Sequence, residues 1–261
     1  MKQNRLRNFF VVVLVAIVAI SGLVVWLAGK YVVPIMTYHN INYTEKFEPN
    51  TVSPLNFDKQ MNYLKANGYH VIGLDELVDG IKRKRVFPQK TVVITFDDGY
   101  QDNYQYAFPV LKKYHLTATF FVLPGLAGVD HFMTWDEIQE MEKGGMSFGS
   151  HSLTHPYLPE ISEAEQRNQI RKSKELLEEK LGHPVACLAY PLGGFTEPIK
   201  KIVAKSGYQC ACTTNRGRDR FNQDLYELKR IRFSDHDQSE FILWVKLSGY
   251  YNLFRKQKNP T

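Results

Sequence analysis

The sequence has little cysteine, which limits how the fold can be held together. Only three cysteines occur among 261 residues: Cys187, Cys210 and Cys212. A disulfide framework of the kind found in small secreted domains needs more than this. Cys210 and Cys212 are two residues apart in a predicted strand, so they point to the same face. We interpret all three as buried apolar residues, and a bridge from Cys187 to either of the others is the open alternative.

Internal repeats and low-complexity segments are also missing, and the excess of positive charge is small. The formal net charge is +6, and Lys2, Arg5, Arg7 and Lys30 supply four of these charges. The rest of the chain therefore carries about +2, which gives no case for a nucleic-acid partner. The basic run at residues 82–85 is interpreted as a solvated helix end, with contact to anionic lipid or wall polymer as the alternative.

Charged side chains are absent from residues 9–29. About twenty apolar residues at 1.5 Å each span a bilayer core of roughly 30 Å. The basic residues before this run place the N-terminus inside and the remainder outside. We predict an uncleaved, single-pass anchor at residues 1–30 in the cell membrane, followed by one extracytoplasmic domain at residues 31–261. Secretion after cleavage of a signal peptide is the alternative, and the lack of a nearby cysteine argues against a lipoprotein.

Short apolar runs alternate with amphipathic helical patterns through the outer domain. Strands are predicted at residues 34–39, 70–74, 91–97, 118–124, 147–152, 184–191 and 210–215. Helices are predicted near residues 54–67, 75–84, 101–114, 134–144, 162–182, 196–206 and 239–247. This alternation favours a parallel α/β barrel, and the length fits seven units better than eight. We therefore expect a distorted (β/α)7 barrel preceded by one transmembrane helix, with its chemistry at the carboxyl ends of the strands.

Two motifs follow predicted strands and carry groups suited to a metal site. TFDDG occupies residues 95–99, and HSLTH occupies residues 151–155. Asp97 and Asp98 would normally point to opposite sides of a strand, but a turn at Gly99 can bring both carboxylates to one cavity. His151 and His155 are four apart, so one helical turn would place both rings on one side. Carboxylate and imidazole ligands with open positions are typical of a hydrolytic metal site.

With these motifs the sequence resembles the polysaccharide deacetylases of the NodB-homology type, carbohydrate esterase family 4. The opening PIMTYHNI at residues 34–41 belongs to the resemblance, which covers nearly the whole outer domain. It implies that Asp97 is the catalytic base and that Asp98, His151 and His155 hold one divalent metal ion. Zinc is the expected metal, and cobalt, nickel or iron are alternatives for such a donor set.

The third motif of the family aligns with residues 189–193, Ala-Tyr-Pro-Leu-Gly. The resemblance implies that the backbone N–H of Leu192 is the oxyanion donor and that Tyr190 and Pro191 contact substrate. Ala189 replaces an arginine that normally orients the base. We predict that Arg230 or Arg232 takes its place, because strand alternation puts both on one face.

The fourth and fifth motifs are only partly visible. Trp135, after the predicted helix cap Thr134, is expected to wall the acetyl pocket, and core packing is an equally good interpretation. The general acid of the fifth motif has no clear match. His236 lies in the right region of the sequence, and His39 at the end of the first strand is the other candidate.

The opening with Tyr38 and His39, together with the Ala-Tyr-Pro form of the third motif, resembles the branch that acts on exported poly-β-1,6-N-acetylglucosamine. We therefore expect a metal-dependent N-deacetylase of a GlcNAc-containing extracellular polysaccharide. Peptidoglycan deacetylation is the alternative, and a catalytically idle glycan-binding or scaffold protein is the alternative of another class. The short link between anchor and first strand would hold the domain at the membrane, where polysaccharide export machinery is a candidate partner.

Overall fold

The computed structural model describes residues 2–261, apart from the side chains at positions 2–7, 23, 24, 27 and 28. Its first element is helix α1 (Lys2–Ala28). Among the described residues, no helix combines the length and the apolar character needed to cross a membrane. The predicted anchor falls partly on side chains outside the described residues, and it stays a prediction.

Strands and helices alternate along residues 31–261. The strands are β1 (Ile35–Tyr38), β2 (Asn40–Ile41), β3 (Thr51–Val52), β4 (His70–Val71), β5 (Thr91–Phe96), β6 (Thr119–Val122), β7 (Ser147–Ser150), β8 (Cys187–Ala189), β9 (Cys210–Thr213), β10 (Leu228–Lys229) and β11 (Ile231–Arg232). The helices after α1 are α2 (Pro54–Ala66), α3 (Leu74–Lys82), α4 (Phe108–Tyr114), α5 (Trp135–Lys143), α6 (Glu163–Leu181), α7 (Glu197–Lys205), α8 (Glu240–Leu247) and α9 (Tyr251–Phe254). A π-helical turn (Asn103–Ala107) precedes α4, and 3₁₀ turns occupy Leu158–Glu160 and Pro191–Gly193.

The main sheet is a nearly closed parallel barrel. Its strand order is β10, β9, β8, β7, β6, β5, β1, β11, and every pair is parallel. β10 pairs with β9 at one end of this order, while β11 pairs with β1 at the other. Since only Arg230 separates β10 from β11, one short segment, residues 228–232, joins the two edges. We call this segment the closing strand.

The seven-unit prediction is confirmed, but one of its strands was assigned wrongly. The predicted strand at residues 70–74 is only the two-residue β4, which pairs with the start of β5 and lies off the barrel path. The closing strand takes the seventh position instead. Its two halves are too short to show an apolar run, so it was left out of the seven predicted strands, although the prediction for Arg230 and Arg232 treated it as extended.

Alternation along the strands divides the core into two layers. β5 is buried at all six positions, which explains its continuous apolar run. Val92, Ile94 and Phe96 belong to one cluster with the helices, while Val93 belongs to another with residues of β1, β6, β8 and β9. Thr95 and Asp97 continue the alternate positions of Val93, so the interior layer leads directly to the TFDDG motif at the carboxyl end of β5.

The cysteines lie in this second layer. Cys187 and Cys210 occupy paired positions of β8 and β9, and they form a disulfide with Cα atoms 4.8 Å apart. Cys212 is buried and free. The interpretation of all three as unlinked apolar residues is therefore wrong, and the bridge left open as the alternative is present.

Candidate active site

The end of β5 turns two neighbouring carboxylates toward one place. Asp98 and Gly99 both adopt left-handed backbone conformations, with φ of 72° and 76°. A Cβ at Gly99 would lie 2.9 Å from Val122 Cγ1, so only glycine fits this approach to β6. The side chains of Asp97 and Asp98 are both almost fully buried. The predicted turn is confirmed.

The second motif forms a loop after β7 and not the expected helical turn. Ser152 and His155 have φ of 68°, a conformation that non-glycine residues rarely adopt. Gln169 of α6 supports the loop, because its Oε1 accepts hydrogen bonds from the N–H groups of residues 153 and 154, both at 3.0 Å. The rings of His151 and His155 nevertheless lie 4.9 Å apart between centroids.

Asp98, His151 and His155 form a compact donor group. One ligating atom from each lies within 4.8 Å of the others. Asp98 Oδ1 is 3.3 Å from His151 Nε2 and 3.4 Å from His155 Nε2. His151 Nδ1 is 2.8 Å from the Ala189 carbonyl oxygen. This oxygen accepts a hydrogen bond from Nδ1–H, which leaves Nε2 as the ligating nitrogen. This oxygen and nitrogen donor set fits a divalent cation such as zinc.

The electrostatics of the donor group favour the ligating forms of Asp98 and His155, but not of His151. Burial raises the pKa of Asp98, but hydrogen bonding to His151 and the nearby imidazoles outweigh it and hold this pKa well below its usual value. Burial and the charge of His151 lower the pKa of His155. Burial lowers the pKa of His151, whereas Asp97 and Asp98 together raise it above its usual value. Cation binding would therefore compete with proton binding at His151.

Arg230 lies in the closing strand and clamps Asp97. Its Nη1 and Nη2 donate to Oδ1 and Oδ2 of Asp97 at 2.6 and 2.7 Å, and both side chains are buried. Burial raises the pKa of Asp97, but Arg230, with help from His151 and His39, holds it below its usual value. Arg232 instead donates to Asn50 at the surface. Of the two predicted substitutes for the missing motif arginine, only Arg230 contacts the base.

His39 and His236 occupy very different places. His39 Nε2 is 3.9 Å from Asp97 Oδ2, and its Nδ1 is buried with no hydrogen-bond partner among the described residues. Burial lowers the pKa of His39, although the charges of Asp97 and Asp98 act to raise it. His236 is exposed and stacks on Phe47 with ring centroids 3.9 Å apart. His39 thus belongs to the site, and no contact joins His236 to it.

The turn after β8 presents Leu192 to solvent. Leu192 has φ of 54°, and its side chain is 58% exposed. The hydrogen bonds within this turn use the N–H groups of Gly193 and Gly194. The backbone of Leu192 lies three residues beyond Ala189, whose carbonyl holds His151, and its role as oxyanion donor stays a prediction.

The three predicted substrate-binding side chains differ in their surroundings. Tyr190 is fully buried, stacks on Phe195 and donates its hydroxyl to the Tyr226 carbonyl. A side chain packed in this way is not accessible to substrate, so this prediction is corrected. Pro191 is also buried. Trp135 is half-buried against the core behind the capping box of Thr134 and Glu137, as the alternative interpretation held.

Several residues around the site belong to none of the motifs recognised in the sequence. Asn103 donates to the His39 carbonyl at 2.7 Å and thereby fixes the loop that holds His39. The pKa of Tyr100 is raised to about 12 by burial, by the charge of Asp98 and by its hydrogen bond to Asp98. Tyr100 also lines a polar cavity of about 320 Å³ whose other lining residues are Asn40, Asn42, Gln101, Asp102, Gln105 and His131. Their only signal in the sequence is that many of them follow directly after TFDDG.

Comparison with known proteins agrees with this geometry. The family model for polysaccharide deacetylases matches residues 84–211, which include both motifs. The Bacillus subtilis polysaccharide deacetylase YxkH is 34% identical over 201 residues, covering 77% of this chain and 71% of that protein. A Staphylococcus aureus poly-β-1,6-N-acetyl-D-glucosamine N-deacetylase is 29% identical over 201 residues, covering 71% of this chain and 68% of that protein.

Solved structures support the same assignment. The Streptococcus pyogenes deacetylase PplD, in complex with acetate, has a TM-score of 0.72 and 32% identity, covering 78% of this chain and 92% of that one. IcaB from Ammonifex degensii has the same TM-score at 24% identity, covering 83% and 97%, a likeness of fold alone. The chain belongs to the polysaccharide deacetylase family, carbohydrate esterase family 4. It is therefore a deacetylase, a hydrolase.

Proposed function

We propose that this protein removes N-acetyl groups from poly-β-1,6-N-acetylglucosamine in a metal-dependent reaction. The observation that carries the proposal is the pairing of a clamped carboxylate, Asp97, with the donor group of Asp98, His151 and His155 beside it. Likeness to the staphylococcal deacetylase supports the choice of polymer. Acetate in the streptococcal relative is the acid product that such a reaction would release.

Asp98, His151 and His155 would hold the divalent cation, with zinc the expected ion. When bound, the cation polarises the acetamide carbonyl and acidifies the attacking water. Asp97 accepts the proton of that water, and it is available for this because its lowered pKa keeps the carboxylate ionised near neutral pH. The backbone N–H of Leu192 donates to the oxygen that becomes negative in the transition state.

The departing amine needs a proton when the carbon–nitrogen bond breaks, and we assign its delivery to His39. The lowered pKa of His39 makes the neutral ring the resting form, so the ring must first receive a proton. Asp97 Oδ2, 3.9 Å away, has just taken one from the water. A small movement of the ring would allow transfer from Asp97 to His39 and on to the amine. The products are acetate and a protonated amino sugar.

The polar cavity beside Tyr100 is a suitable place for a neighbouring sugar. Amide side chains at Asn40, Asn42, Gln101 and Gln105 offer donors and acceptors for hydroxyl and acetamide groups. Tyr100 stacks on Phe132 with ring centroids 5.5 Å apart, which holds the ring rigidly at the edge of the site. This arrangement favours a polymer that extends past the reacting residue.

We further propose that residues 9–29 anchor the enzyme in the cell membrane with the barrel on the extracytoplasmic side. The uncharged run and the basic residues before it support this topology. A polymer emerging from export machinery would then meet the enzyme at the membrane surface. If a form without residues 1–30, and not the anchored one, is the active species in cells, this part of the proposal is wrong.

The test is acetate release from β-1,6-linked GlcNAc oligomers and from peptidoglycan fragments, compared side by side with added zinc, cobalt or nickel. Asp97→Asn should abolish release but retain the metal, because Asp97 is outside the donor group. Asp98→Asn should lose both, with metal content measured by mass spectrometry. His39→Ala should lower kcat strongly in the same assay, whereas His236→Ala, at an exposed position, should not.

The outcomes separate the candidate functions. Release from the β-1,6 oligomers, abolished by Asp97→Asn, supports the proposal. Release from peptidoglycan alone would show that the substrate is cell-wall peptidoglycan and not the β-1,6-linked polymer. Binding of oligomers with a retained metal and no acetate release would indicate the glycan-binding alternative. The buried Arg230–Asp97 pair favours an enzyme over a protein that has lost its activity.

A further inference from the structure

A second and larger cavity, of about 790 Å³, lies at the opposite end of the barrel from the candidate active site. Its walls come from segments just before β1, before β5 and before β10, together with α3 and the residue before α9. These positions mark the amino ends of the strands, whereas the donor group follows their carboxyl ends. The lining includes Tyr31, Leu77, Lys84, Phe87, Phe221 and Tyr250. The proposed deacetylation makes no use of this cavity.

Four of the lining side chains are aromatic, Tyr31, Phe87, Phe221 and Tyr250, and cations lie over the rings of Phe87 and Phe221. Tyr31 and Tyr250 pack edge to face with centroids 6.1 Å apart. The Arg85 guanidinium lies 5.1 Å from the centre of Phe87, and the Lys30 ammonium lies 4.8 Å from the centre of Phe221. The cavity thus combines an apolar interior with positive groups beside it, a pattern that suits an amphiphile with an anionic head.

The positive groups are only partly neutralised by nearby acids. Arg83 pairs with Asp79 at 2.9 Å and Arg85 with Glu76 at 3.0 Å, but both pairs are more than 40% exposed and therefore weak. Lys84 is exposed, and its φ of 55° places it where a helix end usually has glycine. Residues 82–85 therefore keep a net positive surface.

The chain also places this end of the barrel next to the predicted anchor. Gly29, the last residue of the uncharged run, lines the cavity. Only residues 30–34 separate it from β1, a link of at most roughly 20 Å. Val86, between Arg85 and Phe87, is 91% exposed. An apolar side chain at such a tip is suited to the interfacial region of a bilayer.

We propose that the cavity binds an anionic phospholipid of the membrane that carries α1. The lipid phosphate would contact Lys84, Arg85 and Lys30, and part of an acyl chain would enter between Phe87 and Tyr250. The barrel then rests on the bilayer by its amino end and directs its catalytic end outward. The proposal rests on the membrane position of residues 9–29 and not on the identity of the polymer.

The experiment uses the full chain in nanodiscs of phosphatidylcholine, prepared with and without phosphatidylglycerol. Native mass spectrometry counts the retained lipids, and hydrogen–deuterium exchange follows residues 80–90. The test variant combines Lys84→Asn, which tolerates the left-handed backbone, with Arg85→Gln. The matched control combines Arg171→Gln with Lys172→Gln, which removes the same two charges from the exposed face of α6.

We expect phosphatidylglycerol to be retained over phosphatidylcholine and to slow exchange at residues 80–90. The test variant should bind it about tenfold more weakly, the effect expected from one or two basic side chains at an anionic surface. The control should match the unaltered protein. Val86→Asp, at an exposed position that cannot be needed for folding, should also weaken retention.

Equal retention of the two lipids would overturn the proposal, as would an equal loss in the control. Full competition by inorganic phosphate would show a simple phosphate site and would also overturn it. Acetate release from soluble oligomers should be the same in all these variants. A failure of lipid binding is therefore distinguishable from a failure of the proposed reaction.

Discussion

Asp97 and Asp98 are neighbours in the chain, yet their partners give them different chemistry. Asp97 is held on both oxygens by Arg230, so its orientation is fixed and its charge is balanced by a single buried cation. Asp98 lies beside two imidazoles and shares with them the geometry of a cation site. The left-handed turn at Asp98 and Gly99 allows both arrangements side by side. In the proposed reaction, Asp97 would take the proton and Asp98 would hold the metal.

Arg230 is expected to control both the orientation and the pKa of Asp97. Arg230→Met should reduce kcat about a hundredfold, because a misplaced catalytic group costs roughly this much. Burial alone raises the pKa of Asp97, so loss of the guanidinium should move the acid limb of the pH–rate profile to higher pH. The free energy of unfolding should fall by about 3–5 kcal/mol, since a buried charge loses its partner.

Arg232→Met is the matched control, since Arg232 sits two residues away and contacts only Asn50 among polar side chains. Its kcat and pH profile should be unchanged. Arg230→Lys should fall between the two, because lysine keeps the charge without the two-pronged geometry. An Arg230→Met enzyme with an unshifted acid limb would contradict the proposed link to Asp97.

At the scale of elements, the site is made by the loops that follow β5, β7 and β8, and each contains left-handed residues. Asp98, Ser152, His155 and Leu192 all have positive φ without being glycine. Such conformations cost energy, so they persist only when neighbouring elements hold them. For the loop after β7 that element is α6, through the buried side chain of Gln169.

Gln169→Ala should therefore weaken metal affinity about tenfold while leaving the ligands in place, as loss of an outer hydrogen-bond partner typically does. Competition titration with a zinc indicator would measure the change. Gln166→Ala is the control, since Gln166 is buried on the same helix but bonds to the carbonyls of Leu158 and Ile161. Both variants should lose about 1–3 kcal/mol of stability. Equal metal loss in both would count against a specific role for Gln169.

Motif spacing and the alternation of strands and helices predicted the clustering of Asp98, His151 and His155 and the seven-unit barrel. An arginine at 230 or 232 was expected beside Asp97, and Arg230 is there, but Arg232 does not share its face as strand alternation had suggested. The helical turn between His151 and His155 was predicted wrongly, because no local sequence signal indicates the left-handed backbone conformations of Ser152 and His155. Substrate contact was predicted wrongly for Tyr190, because an aromatic side chain at a strand end can face either the core or the site. Gln169 was missed because its partners lie some fifteen residues away in sequence.

At the scale of the whole molecule, the barrel is stapled between β8 and β9 by the Cys187–Cys210 disulfide. Such a bond is expected in an oxidising compartment, in agreement with the proposed extracytoplasmic position. The remaining thiol, Cys212, is buried, and burial raises its pKa to about 12. It should not react in the native protein.

Thiol titration of the exported protein checks this arrangement. No thiol should react in the folded state, one should react after denaturation, and three after reduction. Cys187→Ser should lower the free energy of unfolding by about 3 kcal/mol through the loss of the cross-link. Cys212→Ser leaves the bridge intact and provides the comparison. Three reactive thiols before reduction would contradict the pairing.

The position of the closing strand links activity to the completion of folding. The cation donors and Asp97 all occur before residue 160, whereas Arg230 lies near the end of the chain. The supports of the metal ligands, Gln169 and the Ala189 carbonyl, also precede the closing strand, but Arg230 reaches Asp97 only when β10 and β11 join β9 to β1. We expect a chain that ends before residue 228 to lack this contact and to be inactive. The closing strand, which completes the barrel, is therefore also expected to be required for activity.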